Sequence, residues 1–367
     1  MGEIMWTDPK HVKLIDGADP RDFPFWDFLR SEARTKLQIQ KTGYFKWYKN
    51  HLKIGTHSDR INGIKAEKGI LERLRYLQKL NELIRNDKFF QDVDKIQVFI
   101  DCRGHIRVFE GRHRLICALY NGCDNIPLEV IYRHPDWESF KDSLSKEYTN
   151  NKVLYNPIDH PDFNGWPVLR EPRINIIERA LNAEDFYPIT DRLSKEKPGY
   201  HYKISSCHYF QRDHAERLKG LDLGCHIGYM CHYLERYGAQ MTGVEHCLSY
   251  YDKAVFLSQV YELNPTFCFE NIHDFVGNTK AKYDFVIALS VFYFLFRQDE
   301  NKARKLLTKI SEITDMMFID DCPKELPEER LLQEIADHTD FTVKVIFAGQ
   351  NGRKIFQLTK LENKSGE

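Results

Sequence analysis

The chain has 367 residues, a length that suits two domains rather than one. Apolar residues make up 42% and charged residues 29%, the balance of an ordinary globular protein, so a fibrous or low-complexity chain is excluded. A net charge of −1 excludes a global field drawing the protein to nucleic acid and leaves only a local basic patch to do so.

No apolar run reaches the length of a membrane span; the longest, 286–289 with 291–296, reads as a buried strand and a loop. The first six residues lack the basic-then-apolar pattern of a secretion signal, and Trp6 stands where a myristoylation signal needs Ser or Thr. The nine cysteines are an odd number with no C-x-x-C pair, which predicts reduced thiols and a cytoplasmic location.

In chain order, residues 1–65 form an N-terminal extension rich in aromatic and basic residues, at 23–29 and 44–48. Interleaved Lys and aromatic side chains suit a polyanion with stacked bases. The preferred reading is that the segment packs onto its own domain. Residues 66–135 read as a small α+β domain. A helix over 67–87 carries Leu71, Leu74, Leu77, Leu80 and Ile84 on one face. A strand-turn-strand over 98–109 follows, with Gly104 at the turn. Next come the turn Glu110-Gly111-Arg112-His113-Arg114, a helix over 115–121 with Gly122 as its cap, and a strand over 128–132. Residues 136–200, with many of the prolines, read as a connector containing one short helix over 174–181. Residues 201–362 alternate strand and helix from 218 onward, as an α/β domain requires.

The chemistry concentrates at Asp222-Leu223-Gly224-Cys225-His226-Ile227-Gly228, between a buried strand and a helix over 230–237. Glycines let the backbone approach a ligand, and the helix start offers unpaired N–H groups. A second strand, 241–245, ends in Glu245, 23 positions beyond Asp222, where a carboxylate can accept both hydroxyls of a ribose. The spacing is G-x-x-x-G, not the G-x-G-x-x-G of a dinucleotide site.

These residues resemble the class I S-adenosylmethionine (SAM)-dependent methyltransferases. Segments 271–275, 282–290 and 316–321 and a closing hairpin over 342–347 and 354–359 follow in that family's order. The resemblance implies a Rossmann-like seven-stranded sheet with an antiparallel last strand. It implies SAM held by Asp222, Gly224, Cys225, Gly228, Glu245, His246, Asp274, Phe275 and Leu289. His226, Tyr229, Tyr293 and Asp321 are the candidate catalytic residues, each with a structural reading beside the chemical one. Tyr293-Phe294 replaces the usual His pair after the fourth strand. Neither D-P-P-Y nor a Pro-Cys nucleophile follows that strand, which disfavours DNA-base methylation. The expected acceptor is a hydroxyl, carboxylate or amine of a small molecule or glycan. The Cys and His residues around the loop lack paired metal spacing, so no metal is expected.

Residues 67–133 are similar to the ParB/sulfiredoxin superfamily, on the strength of the helix, the hairpin and the G-R-H-R turn. That similarity implies phosphate binding by Glu110, Gly111, Arg112, His113 and Arg114 and a nucleotide such as ATP or CTP with Mg, with Glu72 or Glu110 as acid or base in a kinase-like reaction. The alternative for these arginines is local pairing with Glu110 or Asp124. Three functions compete: a methyltransferase with a nucleotide-binding domain, a nucleic-acid-associated methyltransferase, and a ParB-like nucleotide-binding protein whose C-terminal domain only binds SAM.

Overall fold

The computed structural model describes residues 3–53, 67–86, 94–147, 154, 156–168, 173–183, 218–349 and 352–360. The chain divides into two compact units, Met1–Leu154 with Asp159–Pro167, and Tyr155–Ile158 with Val168–Glu367. Residue 201, the expected start of the methyltransferase-like domain, lies outside the described residues.

In the first unit, β1 (Glu3–Thr7), β2 (Val12–Lys13), β3 (Ile96–Ile100), β4 (Ile106–Glu110) and β5 (Ile126–Arg133) form a sheet in the order β1-β5-β3-β4-β2. Ile96, Val98 and Ile100 alternate inward, the period-two pattern of a strand with one packed face. The segment read as an extension contributes to this sheet. Its β1 runs antiparallel to β5 and its β2 parallel to β4. Its aromatic-rich remainder forms α1 (Phe25–Arg30), α2 (Lys36–Lys41) and α3 (Gly43–Lys53). Phe25, Phe28, Tyr44 and Tyr48 are buried there, so these rings build a core rather than a stacking surface. The amphipathic helix α4 (Glu67–Arg85) buries Ile70, Leu74, Leu77 and Ile84 at helical spacing. Helix α5 (Arg112–Tyr120) starts at the G-R-H-R turn.

The expected connector contains a further helix, α6 (Pro135–Glu147). Its proline occupies the first helical position, where the missing N–H costs nothing, and Asp136 and Glu138 suit the positive end of the helix dipole. Asp162 then ties the following segment to this unit. Its carboxylate accepts two bonds from Arg133, at 3.1 and 2.9 Å, and one from Trp137 Nε1 at 2.7 Å. These donors, against burial, hold its pKa near 2.

In the second unit, helix α7 (Ile174–Ala183) precedes seven strands: β6 (Lys219–Leu223), β7 (Gln240–Glu245), β8 (Thr266–Phe269), β9 (Phe285–Ala288), β10 (Met316–Asp320), β11 (Phe341–Ala348) and β12 (Lys354–Lys360). Their order is β11-β12-β10-β9-β6-β7-β8. The β10-β9-β6-β7-β8 pairs are parallel, and β12 runs antiparallel between β10 and β11. This is the mixed α/β seven-stranded sheet with an antiparallel closing strand. From β6 the chain steps outward to β7 and β8, then returns to place β9 on the other side of β6. The crevice beyond the β6 and β9 carboxyl ends is the topological switch point, where open α/β sheets bind their ligands.

Both faces of this sheet are covered, so its central strands are largely apolar, with the acids Asp222 and Asp320 at or near their carboxyl ends. On one face Leu221, Leu223, Val286, Ala288 and Ile319 pack beneath α11 (Phe292–Gln298), α12 (Glu300–Ile313) and α13 (Glu328–His338). On the other, Met241, Phe285, Ile287 and Phe318 meet Ile174 and Ile177 of α7 and Leu234 of α8 (Tyr229–Arg236). Among the described residues no helix is long and apolar enough to cross a membrane.

Candidate functional site

The loop after β6 is shaped by its glycines. Gly224 has φ +72° and Gly228 φ +76°, the left-handed region that glycine adopts without penalty. Space excludes larger residues as well. A Cβ on Gly224 would lie 2.9 Å from Val291 Cγ2, and one on Gly228 would lie 2.6 Å from Phe267 Cζ. The amides of Gly224 and Cys225 donate to the Val244 carbonyl at 2.9 and 3.1 Å, binding the loop to the end of β7.

Glu245, the last residue of β7, is buried and holds the loop from the same side. Its Oε2 accepts from the His226 amide at 3.0 Å and its Oε1 from the Cys247 amide at 2.8 Å. The exposed His246 approaches the same carboxylate at 3.3 Å. Asp222 lies beneath the loop, with Cys231 Sγ 3.7 Å from Oδ2. Burial lifts its carboxyl to about 7, with the Glu245 charge adding to the rise. A cationic ligand group nearby would draw it back to the charged form. Cys225 is buried and its thiol is raised, leaving it a packing residue of the loop.

His226 does not cap the following helix; Gly228 is the N-cap of α8. The imidazole lies 4.0 Å centroid to centroid from the Tyr250 ring of α9 (Leu248–Tyr261). Burial, with Lys253, lowers its pKa to about 4, so it is neutral at physiological pH. Tyr229 packs with the core under α7, 6.4 Å from the Tyr233 ring. Asn271 caps α10 (Ile272–Asn278) by accepting from the His273 amide at 2.8 Å, and this puts Asp274 in the exposed first turn. Phe275 packs half-buried on the core below, and Leu289 is half-buried just past β9.

Beyond β9 and β10 the structure gathers residues that the sequence did not single out. Asp320, buried at the end of β10, accepts from the Ser290 amide at 2.6 Å and from Arg173 Nη1 at 2.6 Å, and forms an ion pair with Arg353 Nη2 at 3.1 Å. Ser290 Oγ accepts from both guanidiniums, each at 3.2 Å. Ser290 has φ +63°, a strained conformation for a side chain with a Cβ. Tyr293 lies beneath Arg353, 5.6 Å from its guanidinium carbon. Asp321, the sequence's choice on this strand, instead turns Oδ1 to the Lys354 amide at 2.6 Å. An acid at a buried strand end and a serine two residues past the neighbouring strand are signals available in sequence. The two arginines carry no local pattern and meet only in the fold.

In the first unit, Gly111 has φ +100° and serves as N-cap of α5, as the turn requires. Arg114 Nη1 donates to the Lys95 carbonyl at 2.9 Å and lies 3.9 Å from Asp94, so its partners are not Glu110 or Asp124. His113 Nε2 is 2.6 Å from Tyr44 Oη within the aromatic core. Arg112 lies over Phe23 at 4.8 Å and has no acid partner among the described residues. Glu110 is exposed. Among the described residues no group of three or more His, Cys, Asp or Glu could hold a metal ion.

No family model matches the chain, and no curated protein sequence matches it. Solved structures do. Magnesium protoporphyrin IX methyltransferase (ChlM) from Synechocystis PCC 6803 with bound SAM is 19% identical over 40% of this chain and 71% of its own, with a TM-score of 0.34. The bifunctional kinase-methyltransferase WbdD is 16% identical over 59% of this chain and 45% of its own, with a TM-score of 0.42. TehB from Haemophilus influenzae is 20% identical over 40% of this chain and 58% of its own, with a TM-score of 0.32. This chain thus matches less than half the length of WbdD. The likeness is remote, and the strand order and loop geometry of the chain itself carry the functional reading.

Proposed function

We propose that the second unit is a SAM-dependent methyltransferase. The carrying observation is the strand order β11-β12-β10-β9-β6-β7-β8, with a glycine loop at its switch point and a buried acid ending the adjacent strand. The residues fit the cofactor. Asp222 and the loop backbone suit its methionine end, Glu245 and His246 its ribose, and Asp274, Phe275 and Leu289 its adenine. SAM supplies an electrophilic methyl on a sulfonium. Bound there, it would supply that methyl to the acceptor's nucleophile, and an acceptor that carries a proton would need a base to take it. The chain's task is to position and desolvate the two reactants. His226, neutral at physiological pH, is the candidate base; Tyr229, Tyr293 and Asp321 are the other side chains proposed near the strand ends.

Within that class, the acceptor is proposed to be a small molecule or glycan carrying a hydroxyl, carboxylate or amine. Calorimetric titration with SAM and S-adenosylhomocysteine tests the class. One-to-one binding that is lost in Asp222→Ala and Glu245→Ala supports it, and absence of binding overturns it.

A second reading concerns the first unit. Arg112 stands at the start of α5, stacked on Phe23 and without an acid partner among the described residues, which favours a phosphate-binding turn. The ligand proposed is ATP or CTP with Mg. Equilibrium dialysis of each nucleotide against wild type and Arg112→Ala tests it; binding unchanged by the substitution counts against the turn.

A further inference from the structure

Asp222 is an acid enclosed by groups that do little for a charge. Its in-register neighbours are Gly243 of β7 and Ile287 of β9, which share its face of the sheet. The first has no side chain, and the second is apolar and fully buried. Cys225 of the loop takes the room that Gly243 leaves: a Cβ there would lie 2.8 Å from Cys225 Sγ. Cys231 of α8 closes a further side, with Sγ 3.7 Å from Asp222 Oδ2. The two thiols are also each other's partners. The Asp222 carboxyl, in a residue 4% exposed, therefore has one hydrogen-bond partner among the described residues, and a thiol is a weak donor.

The charged and titratable groups nearby are engaged elsewhere or have the wrong sign. Glu245, which acts on Asp222 from β7, is itself an acid and accepts two backbone amides. His226 of the loop stacks near Tyr250, and Lys253 of α9 acts on His226. His232 of α8 bonds the Ala254 carbonyl, and Glu178 of α7 accepts from Tyr233. Among the described residues no basic side chain pairs with Asp222. An unpaired carboxylate in such a place is costly, so the group keeps its proton until a cation arrives. We propose that Asp222 couples cofactor binding to protons: it is a neutral carboxylic acid in the free chain and releases its proton to solvent when the ammonium and sulfonium of SAM enter the glycine loop, so that cofactor affinity rises with pH. This rests on the methyltransferase reading. Affinity then follows the ionised fraction of Asp222, low in acid, rising as pH approaches about 7 and level above it.

The test is calorimetric titration of S-adenosylhomocysteine, and separately of SAM, into the full chain in two buffers of different ionisation enthalpy. At about pH 6 the ligand's own ammonium is already charged, so a released proton comes from the protein. The wild type is expected to release roughly one proton per ligand there and to gain about tenfold in affinity from about pH 5.5 to about pH 7. SAM, with a sulfonium besides its ammonium, should release no fewer protons than S-adenosylhomocysteine. Asp222→Asn is expected to release none and to show a flat profile, within about threefold of the wild type at about pH 5.5 and about tenfold weaker at about pH 7. Cys231→Ser puts a stronger donor beside the carboxylate, so the rise should move to lower pH, a shift that a merely structural role would not produce. That variant keeps the proposal open to test should Asp222→Asn fail to fold. Binding without proton release, a profile shared by wild type and Asp222→Asn, fewer protons released by SAM than by S-adenosylhomocysteine, or an unmoved profile in Cys231→Ser overturns the proposal while leaving the methyltransferase reading in place. A chain that binds neither ligand at any pH removes that reading, and the proton coupling with it.

Discussion

Asp222 shows how a residue's environment decides its chemistry. Its carboxyl titrates near 7 because it is buried beneath the loop and close to Glu245. The raised value means that the native state holds a proton that the unfolded chain releases near 3.8. Stability from this group is therefore full below about 4 and declines as pH rises to about 7. Asp222→Asn removes that dependence. In urea denaturation the variant is expected to gain on the wild type as pH is raised from 5 to 8, and an unchanged difference across that range contradicts the burial argument. Gly228 makes a steric case. Its φ of +76° and the Phe267 ring 2.6 Å from any added Cβ leave no room for alanine. Gly228→Ala is expected to cost roughly 2–5 kcal/mol in the same measurement. Gly224, Gly228 and Glu245 were legible in the sequence because backbone freedom and a strand-end acid are local requirements. Arg173 was not, because its partners Ser290 and Asp320 lie 117 and 147 residues away along the chain.

At the scale of elements, the glycine loop and β7 form one unit through the Glu245 carboxylate, which accepts the His226 amide of that loop and the Cys247 amide just past β7. Glu245→Gln weakens both charge-assisted bonds, at a cost of about 1.5–3 kcal/mol. Hydrogen exchange should then speed up at the His226 and Cys247 amides before it does in β6 or β9. Uniform protection across the unit would show that the loop does not depend on this acid. The elements themselves were largely legible. The leucine repeat gave α4, and alternation gave β3 and β4, because those patterns are set by which face is buried. Helix α6 was missed because Pro135 reads as a breaker, although at the first turn it favours a helix. Strands β1 and β2 were missed because an edge strand of two to five residues carries too little pattern to stand out.

For the whole molecule, the relevant fact is charge. With a net charge of −1 there is no long-range attraction to a polyanion. The aromatic residues that raised the nucleic-acid alternative lie largely in a core, with Phe25 and Tyr44 buried. Fluorescence anisotropy with a single-stranded oligonucleotide is therefore expected to show no binding near 0.15 M salt, where condensed-counterion release no longer drives weak contacts. Tight binding with a steep salt slope would reinstate that alternative. Strand order also belongs to this scale. Alternating strands and helices identify an α/β unit in sequence, but only the folded chain shows β9 returning beside β6 and β12 inserted between β10 and β11.

This strand order and glycine loop are proposed to hold SAM. The most direct measurement is calorimetric titration of S-adenosylhomocysteine into the wild-type chain and into Asp222→Ala and Glu245→Ala. One site per chain is expected in the wild type, with a loss of at least about tenfold in each variant, roughly 1.4 kcal/mol or more. No binding by the wild type, or equal binding by all three, would contradict it.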